Sequence, residues 1–307
     1  MKKIFIAIFV SIIVIGGLVF IYQQENREAK ILFVGDMMFD RYIRQVGYNK
    51  GEDFIFSCLG DFLKNVDLVV GNLEGPITEN PSKSMFTTPG GEGNYTFTFP
   101  TNTAKLLAKN NIKLVNLGNN HIGNFGKAGV ESTKKYLDEA GVDYIDSDYV
   151  YRTKIGSAEI SFISYNEFAL PAEASAKAGG DSVEKIAKKI KEEKENKQTV
   201  IVYAHWGDEY VAPPQRVKNV AKKFADSGAD FIIGSHPHVI LGHESFDYAQ
   251  DKKTVVYYSL GNFIFDQYFS KEVSTGLILE LNIKNKKIKT IEHKVSIGRD
   301  GRTCLVN

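Results

Sequence analysis

The chain has 307 residues, 43% hydrophobic and 24% charged, with 38 basic and 37 acidic side chains for a formal net charge of +1. That length can bury a substantial core as one large α/β domain or two small ones, and the composition is ordinary for a globular protein. The even charge speaks against a nucleic-acid binder, which would carry a basic stripe. Two cysteines, Cys58 and Cys304, are too few for a disulfide framework and lack metal-knuckle spacing. The simpler expectation is two unpaired thiols; a single bridge is the alternative.

Lys2-Lys3 precede an uncharged run from Ile4 to Tyr22. As a helix this run is about 28 Å long, close to the thickness of a bilayer core. A cleaved signal peptide has a shorter apolar stretch and a small-x-small cleavage site, whereas Phe20-Ile-Tyr-Gln-Gln offers none. The expectation is an uncleaved, single-pass anchor in a bacterial-type membrane. The paired lysines favour a cytoplasmic N-terminus, although Arg27 and Lys30 match them in number on the far side. The main domain, residues 30–307, would then lie outside the membrane, joined by the polar linker Gln23–Ala29.

Beyond the linker, strand-like and helix-like runs alternate, the pattern of a layered α/β domain. A strand at Ile31–Val34 is followed by a helix over Gly51–Asn65, read from Phe54, Phe56, Leu59, Phe62 and Leu63. Leu68–Val70 reads as the next strand, and Pro81–Thr98 as a long irregular loop beside the site. Thr101–Asn111 starts on a Thr cap, and Gly126–Ala140 stops at Gly141. Tyr151–Ile155 and Glu159–Tyr165 form a strand pair, and Ser182–Asn196 is an amphipathic helix with Val183, Ile186, Ala187 and Ile190 inward. Pro214–Ser227 is another helix, with Pro near its first turn. Phe246–Lys253 reads as a surface excursion before a strand at Thr254–Leu260. Gly276–Ile283 and Lys287–Val295 pair across a turn at Lys284-Asn-Lys.

Several apolar runs end in a residue able to bind a metal. These are Ile31-Leu-Phe-Val-Gly-Asp36, Leu68-Val-Val-Gly-Asn-Leu-Glu74, Leu114-Val-Asn-Leu-Gly-Asn-Asn-His121, Val200-Ile-Val-Tyr-Ala-His205 and Phe231-Ile-Ile-Gly-Ser-His-Pro-His238. Short β-branched runs are buried strands, and α/β sheets bind ligands beyond the carboxyl ends of their strands. Asp36, Glu74, Asn120, His205, His236 and His238 are thereby expected on one rim. In His236-Pro-His238, imidazoles two apart on an extended segment would point the same way.

Each has a plainer reading. Asp36 could cap a helix, Glu74 could be a surface ion pair, and Asn119-Asn120-His121 could be a capping turn. Gly35 would let the backbone turn against a ligand. His205 stands beside Trp206, the only tryptophan, and either could be packing alone. Asn262, after the strand ending at Leu260, suits substrate contact or support of a ligand. His243 and His293 carry no claim. Walker and dinucleotide loops and the G-x-S-x-G elbow are absent.

At Gly35-Asp36-Met37-Met38, Gly71-Asn72-Leu73-Glu74, Asn119-Asn120-His121, His205-Trp206-Gly207-Asp208-Glu209-Tyr210, Gly234-Ser-His-Pro-His-Val239 and Tyr258-Ser-Leu-Gly-Asn-Phe263 the chain resembles the bacterial capsule-synthesis CapA (PGA-cap) family, a branch of the calcineurin-like metallophosphatases. The resemblance implies a four-layer αββα sandwich. It also implies a site of Asp36, Glu74, Asn120, His205, His236 and His238 holding divalent ions, two of the Mn, Fe or Zn kind, with His121 as acid. Asn119, Trp206, Glu209 and Asn262 would contact substrate or support the ligands.

Two positions depart from the pattern: Met38 replaces the His of Asp-x-His, and Asn124 replaces an Asp after Asn-Asn-His. The expected function is a metal-dependent hydrolase of a phosphoester or γ-glutamyl amide in poly-γ-glutamate or capsule biosynthesis. A non-catalytic assembly, export or anchoring component is the alternative. Expected partners are the membrane, capsule- or polymer-synthase membrane subunits, and an anionic polymer or phosphoester substrate.

Overall fold

The computed structural model describes residues 27–87, 91–168, 182–249, 252–284 and 287–306. Its elements form two sheets and five α-helices among the described residues. The first sheet contains β1 (Ala29–Met37), β2 (Leu68–Leu73), β3 (Ile112–Asn116), β4 (Asp143–Ile145), β11 (Asn262–Ile264), β12 (Thr275–Lys284), β13 (Lys287–Ile297) and β14 (Thr303–Leu305). Its order is β14-β13-β12-β1-β2-β3-β4, with β11 alongside the end of β1. The second contains β5 (Tyr151–Ile155), β6 (Ala158–Asn166), β7 (Thr199–His205), β8 (Phe231–Ser235), β9 (Ile240–Ala249) and β10 (Lys252–Leu260), in the order β5-β6-β7-β8-β10-β9. The strands β1 to β4 are parallel, as are β6, β7, β8 and β10.

Three apolar clusters separate the layers. One lies between the first sheet and α1 (Arg41–Lys50), α2 (Thr103–Lys109) and α3 (Gly126–Ala140). The second fills the space between the sheets. The third joins the second sheet to α4 (Val183–Glu195) and α5 (Gln215–Asp226). Strand alternation generates this arrangement directly, because successive side chains leave opposite faces. On β1, Leu32 and Val34 enter the helix-side cluster while Ile31 and Phe33 enter the inter-sheet one. On β7, Val200, Val202 and Ala204 face α4 and α5, while Ile201 and Tyr203 face the other sheet. The Tyr203 hydroxyl donates to the Val34 carbonyl at 2.5 Å, fastening one sheet to the other.

Most expected elements recur within a residue or two, and the left-handed Gly141 (φ 67°) ends α3. Four readings are corrected. Nothing in the sequence pattern marked α1, whose buried residues Ile43, Arg44 and Val46 include a charged one. The helix expected over 51–65 is a single 3-10 turn, Glu52–Phe56, followed by turns, with Gly60 at φ +38° interrupting it. Phe246–Lys253 is not an excursion: β9 and β10 run through it as an antiparallel pair, polar because β9 is the sheet's edge. Thr101 caps nothing, since α2 begins after Asn102. The expected anchor, Ile4–Tyr22, lies outside the described residues, among which no helix is long and apolar enough to cross a membrane.

Cys58 and Cys304 are joined in a disulfide across a separation of 246 residues, overturning the expectation of two unpaired thiols. The bond ties β14, at the edge of the first sheet, to the segment after the 3-10 turn. Replacing both cysteines by serine should lower stability by about 2–5 kcal/mol, mainly by freeing the unfolded chain. Denaturant unfolding with and without reductant measures this, and an unchanged midpoint in the double variant would contradict it.

Candidate metal centre

The inward alternation of the inter-sheet core does not stop where its apolar residues end. On β2 the inward series Leu68, Val70 continues to Asn72 and Glu74; on β3 Leu114 continues to Asn116. On β6 Ile160 and Phe162 lead to Ser164 and Asn166, on β7 Ile201 and Tyr203 lead to His205, and on β8 Phe231 and Ile233 lead to Ser235. The register makes two facing polar rows of these residues. Asn262, Asp36, Asn72 and Asn116 sit side by side on one sheet, and Asn166, His205 and Ser235 on the other. The site is the polar end of the core between the sheets.

Asp36 reaches this face only because β1 breaks its alternation. Val34 and Met37 both enter the helix-side cluster although three residues apart, and the pairing register shifts between Phe33 and Asp36. Gly35 permits the break: a Cβ there would sit 1.8 Å from the Gly261 carbonyl oxygen. The expectation that Gly35 approaches a ligand is therefore replaced by an approach to the backbone of the β10–β11 link, where Asp36 N–H donates to Gly261 O at 3.1 Å. Asp36 caps no helix; Asp40 precedes α1.

The donors converge tightly. Glu74, His236 and His238 offer ligand atoms all within 4.8 Å of one another, and all three residues are buried. Asp36 Oδ1 accepts from Asn72 Nδ2 at 2.8 Å, and Oδ2 accepts from the His236 backbone N–H at 3.1 Å. His205 Nε2 faces Asn120 Oδ1 at 2.9 Å. His238 Nδ1 lies 2.9 Å from Asn262 Oδ1 and 3.3 Å from Asp36 Oδ2. Asn262 Nδ2 donates to Gln267 Oε1 and the Val273 carbonyl, which fixes Oδ1 toward the ring. Both neighbours of Nδ1 are acceptors, so that nitrogen carries the proton and Nε2 presents its lone pair to Glu74 Oε1, 3.7 Å away. A hydrogen-bonded far nitrogen is how ligand imidazoles are held.

His121 is oriented by the same logic. Asn124 Oδ1 accepts the Phe97 backbone N–H at 2.8 Å and stands 3.3 Å from His121 Nδ1, so Nε2 points its lone pair toward Glu74 Oε1 at 4.0 Å. Asn124 thus supplies an orienting oxygen. Glu74 Oε1 and His236 Nδ1 are buried without any hydrogen-bond partner among the described residues. Unpaired buried acceptors are costly. These facing electron-pair donors fit a divalent cation.

Protonation points the same way. Burial, then the neighbouring Asp36 charge, pushes the Glu74 carboxyl well above its usual range. Burial, reinforced by His238, holds His236 down at about 3. Burial and then His236 push His205 well below its ordinary value. Burial also takes His121 down to about 4, against the Asn124 hydrogen bond. His121, His205 and His236 are consequently neutral at neutral pH, the form of imidazole that binds metals.

His236-Pro-His238 is not extended, contrary to the sequence argument. His236 has φ +95° and His238 φ +57°, so a left-handed bend brings the rings to 5.8 Å between centroids. Tyr210 (φ +64°) and Arg41 (φ +49°) are strained nearby, so four of the six non-glycine residues at positive φ among the described residues surround this centre. Such concentration of backbone strain is typical of functional sites.

The remaining expected residues divide. Asn119 is a brace: its Oδ1 accepts from the His121 and Ile122 backbones, and its Nδ2 donates to Leu73 O at 2.9 Å. Asn262 supports His238. Glu209 is exposed at the mouth, close enough for its charge to act on Glu74. Trp206 is not brought to the site. Its indole fills the α4/α5-side cluster and Nε1 donates to the Tyr258 carbonyl at 3.0 Å, a packing role that follows from its place one residue beyond inward-facing His205. Met38 is buried with Sδ 3.0 Å from the Asp40 backbone nitrogen.

Asn72 was missed by motif reasoning. Its Nδ2 touches Asp36 Oδ1 and lies 3.2 Å from His205 Nδ1, while its Oδ1 accepts from Asn116 at 3.1 Å and Asn119 at 3.3 Å. Counting by twos from Leu68 would have found it.

Fold and site together define a mixed α/β protein with a buried carboxylate–imidazole cluster that could hold a metal ion. The chain belongs to the family described as bacterial capsule synthesis protein PGA_cap, whose model matches residues 30–267. It is 29% identical over 272 residues to the capsule biosynthesis protein CapA of Bacillus anthracis, covering 83% of this chain and 64% of that protein. It is 29% identical over 301 residues to the PGA biosynthesis protein CapA of Bacillus subtilis (strain 168), covering 90% of this chain and 76% of that one. The chain thus spans just under two thirds of the Bacillus anthracis relative.

Asn72→Ala should weaken divalent-metal binding about 10–100-fold, the usual penalty for losing a group that orients ligands. Competition with a fluorescent chelator measures it, and an affinity equal to wild type would remove Asn72 from the centre.

Proposed function

We propose that this protein is a membrane-anchored, extracytoplasmic metal-dependent hydrolase acting in capsule or poly-γ-glutamate biosynthesis, with an αββα fold of the metallophosphatase type. The observation that carries the reading is the meeting of buried electron-pair donors around Glu74 Oε1, at the carboxyl ends of strands from both sheets. Asp36, Glu74, Asn120, His205, His236 and His238 would hold one or two divalent ions of the Mn, Fe or Zn kind. Bound there, such an ion lowers the pKa of a coordinated water and neutralises developing charge.

The chain's own groups have separate tasks. Asn72, Asn262 and Ser235 hold Asp36, His238 and His205 in position. Phe168 covers the rings of His205 and His236 at 5.6 and 4.3 Å, excluding water from that flank. His121, braced by Asn124 and packed on Phe97 at 4.4 Å, delivers a proton from Nε2 to the leaving oxygen. Its low pKa means it must gain that proton as an anionic substrate group enters, since nearby negative charge favours imidazolium. Phosphoesters suit this arrangement best, and a γ-glutamyl amide is the other compatible bond. The run Ile4–Tyr22 supports the anchor. The disulfide supports an oxidising, extracytoplasmic setting.

A second reading, a non-catalytic assembly, export or anchoring component acting with polymer-synthase membrane subunits, is favoured by Met38, which offers no hard ligand where the metallophosphatase pattern has His. The two readings separate experimentally. In the first, the full chain purified in detergent contains divalent metal and hydrolyses p-nitrophenyl phosphate or a γ-glutamyl anilide. His236→Ala loses metal, while His121→Ala keeps it and loses about 10²–10⁴ in rate. Metal-free protein, or unchanged activity in both variants, would overturn it. In the second, deleting Met1–Gln24 abolishes polymer export and His121→Ala does not.

A further inference from the structure

A cavity of about 640 Å³ opens beside the metal centre. Its wall adjoins the centre at three places. Tyr210 packs 6.1 Å from the His238 ring, Arg41 is close enough to act on both Glu74 and His121, and the Tyr95 carbonyl contacts His121. Its size is that of a small-ligand pocket.

The lining has a definite chemistry. Five aromatic rings face it: Tyr42, Tyr95, Tyr210, Tyr268 and Phe269. Tyr95 and Phe269 are 55% and 68% exposed, far more than rings kept only for packing. The lining also holds planar hydrogen-bonding groups, Gln45, Asn94, Asp266 and Gln267, each already bonded within the protein and so held in a fixed orientation. The Tyr268 hydroxyl is buried without a partner among the described residues.

Charge is nearly balanced. Arg41 forms an ion pair with Asp266 and donates to Asn94 Oδ1 at 3.3 Å. Arg299 donates to the Tyr268 carbonyl at 3.1 Å and is the one lining cation without a carboxylate partner among the described residues. Glu209 adds negative charge next to Tyr210. A chain bearing a carboxylate on every unit would need several cations here, and of the two in the wall only Arg299 is not already paired with a carboxylate among the described residues. Flat aromatic faces with interleaved amide, carboxylate and guanidinium groups suit a sugar instead. The C–H face of a pyranose packs on a ring, and its hydroxyls, as both donors and acceptors, pair with planar polar side chains.

We propose that this aromatic cavity is a saccharide subsite, so that the ester presented to the metal centre is attached to a sugar. The inference builds on the phosphoesterase reading by naming what its substrate carries, but binding can be tested without turnover. The probes are neutral oligosaccharides (cellotetraose, maltotetraose and chitotetraose) and, as the competing class, γ-linked pentaglutamate. Binding to the full chain is followed by saturation-transfer NMR and calorimetry, with and without chelator.

At least one oligosaccharide should bind in both conditions. Phe269→Ala and Tyr95→Ala should each weaken it about tenfold, whereas Phe269→Tyr and Tyr95→Phe should restore it. Both rings are exposed, so the variants should keep the wild-type unfolding midpoint. Sugar binding with this pattern in a protein that hydrolyses nothing would uphold the subsite and sink the hydrolase. Metal-dependent phosphoester hydrolysis with no sugar bound would do the reverse. Pentaglutamate binding weakened by the same ring substitutions, with no sugar bound, would overturn the proposal in favour of the acidic polymer.

Discussion

The centre depends on one constraint: two sheets packed face to face, each delivering every second residue into a shared interior. As long as those residues are apolar they make a core. Where the same alternation continues into Asn72, Glu74, His205 and Ser235, it makes a polar chamber closed on both sides by sheet. The Tyr203–Val34 hydrogen bond fastens the sheets just below it, so the spacing between opposite donors is set by packing rather than by flexible loops. Low polarizability of the surroundings then shapes the chemistry. It keeps His205 and His236 neutral and makes two adjacent carboxylates, Asp36 and Glu74, costly without a counter-charge.

Much of this was legible in the chain. Runs such as Val200–Ala204 announce strands covered on both faces, and the strand-end rule gathers Asp36, Glu74, His205, His236 and His238 without any knowledge of topology. What stayed hidden has physical causes. A register shift at Gly35 cannot be seen in composition, although it alone turns Asp36 inward. The bend at His236-Pro-His238 requires left-handed backbone at two non-glycine residues, which local preference argues against. α1 was invisible because its inward face includes Arg44, whose guanidinium is satisfied by Asp40 and the Thr98 carbonyl rather than by solvent. Trp206 was misassigned by adjacency: next to His205 in sequence means opposite to it across a sheet.

The family relationship and the local chemistry make separate statements. Membership in the PGA_cap family rests on residues 30–267 as a whole. The donor geometry is a property of this chain, and so are the roles of Met38 and Asn124 beside it. Asn124 retains a function, since its oxygen fixes the His121 ring as a carboxylate would, without adding charge to an already acidic pocket. Met38 does not; its thioether is turned to the Asp40 backbone.

The Cys58–Cys304 bond encloses Glu74, Asn120, His205, His236 and His238 in one covalent ring and leaves only Asp36 outside. A molecule that loses its tertiary structure while oxidised therefore keeps five of its six candidate ligands on a closed loop. Their search for one another on refolding is correspondingly confined. Such a clasp acts as a memory of the candidate site that outlasts the fold itself.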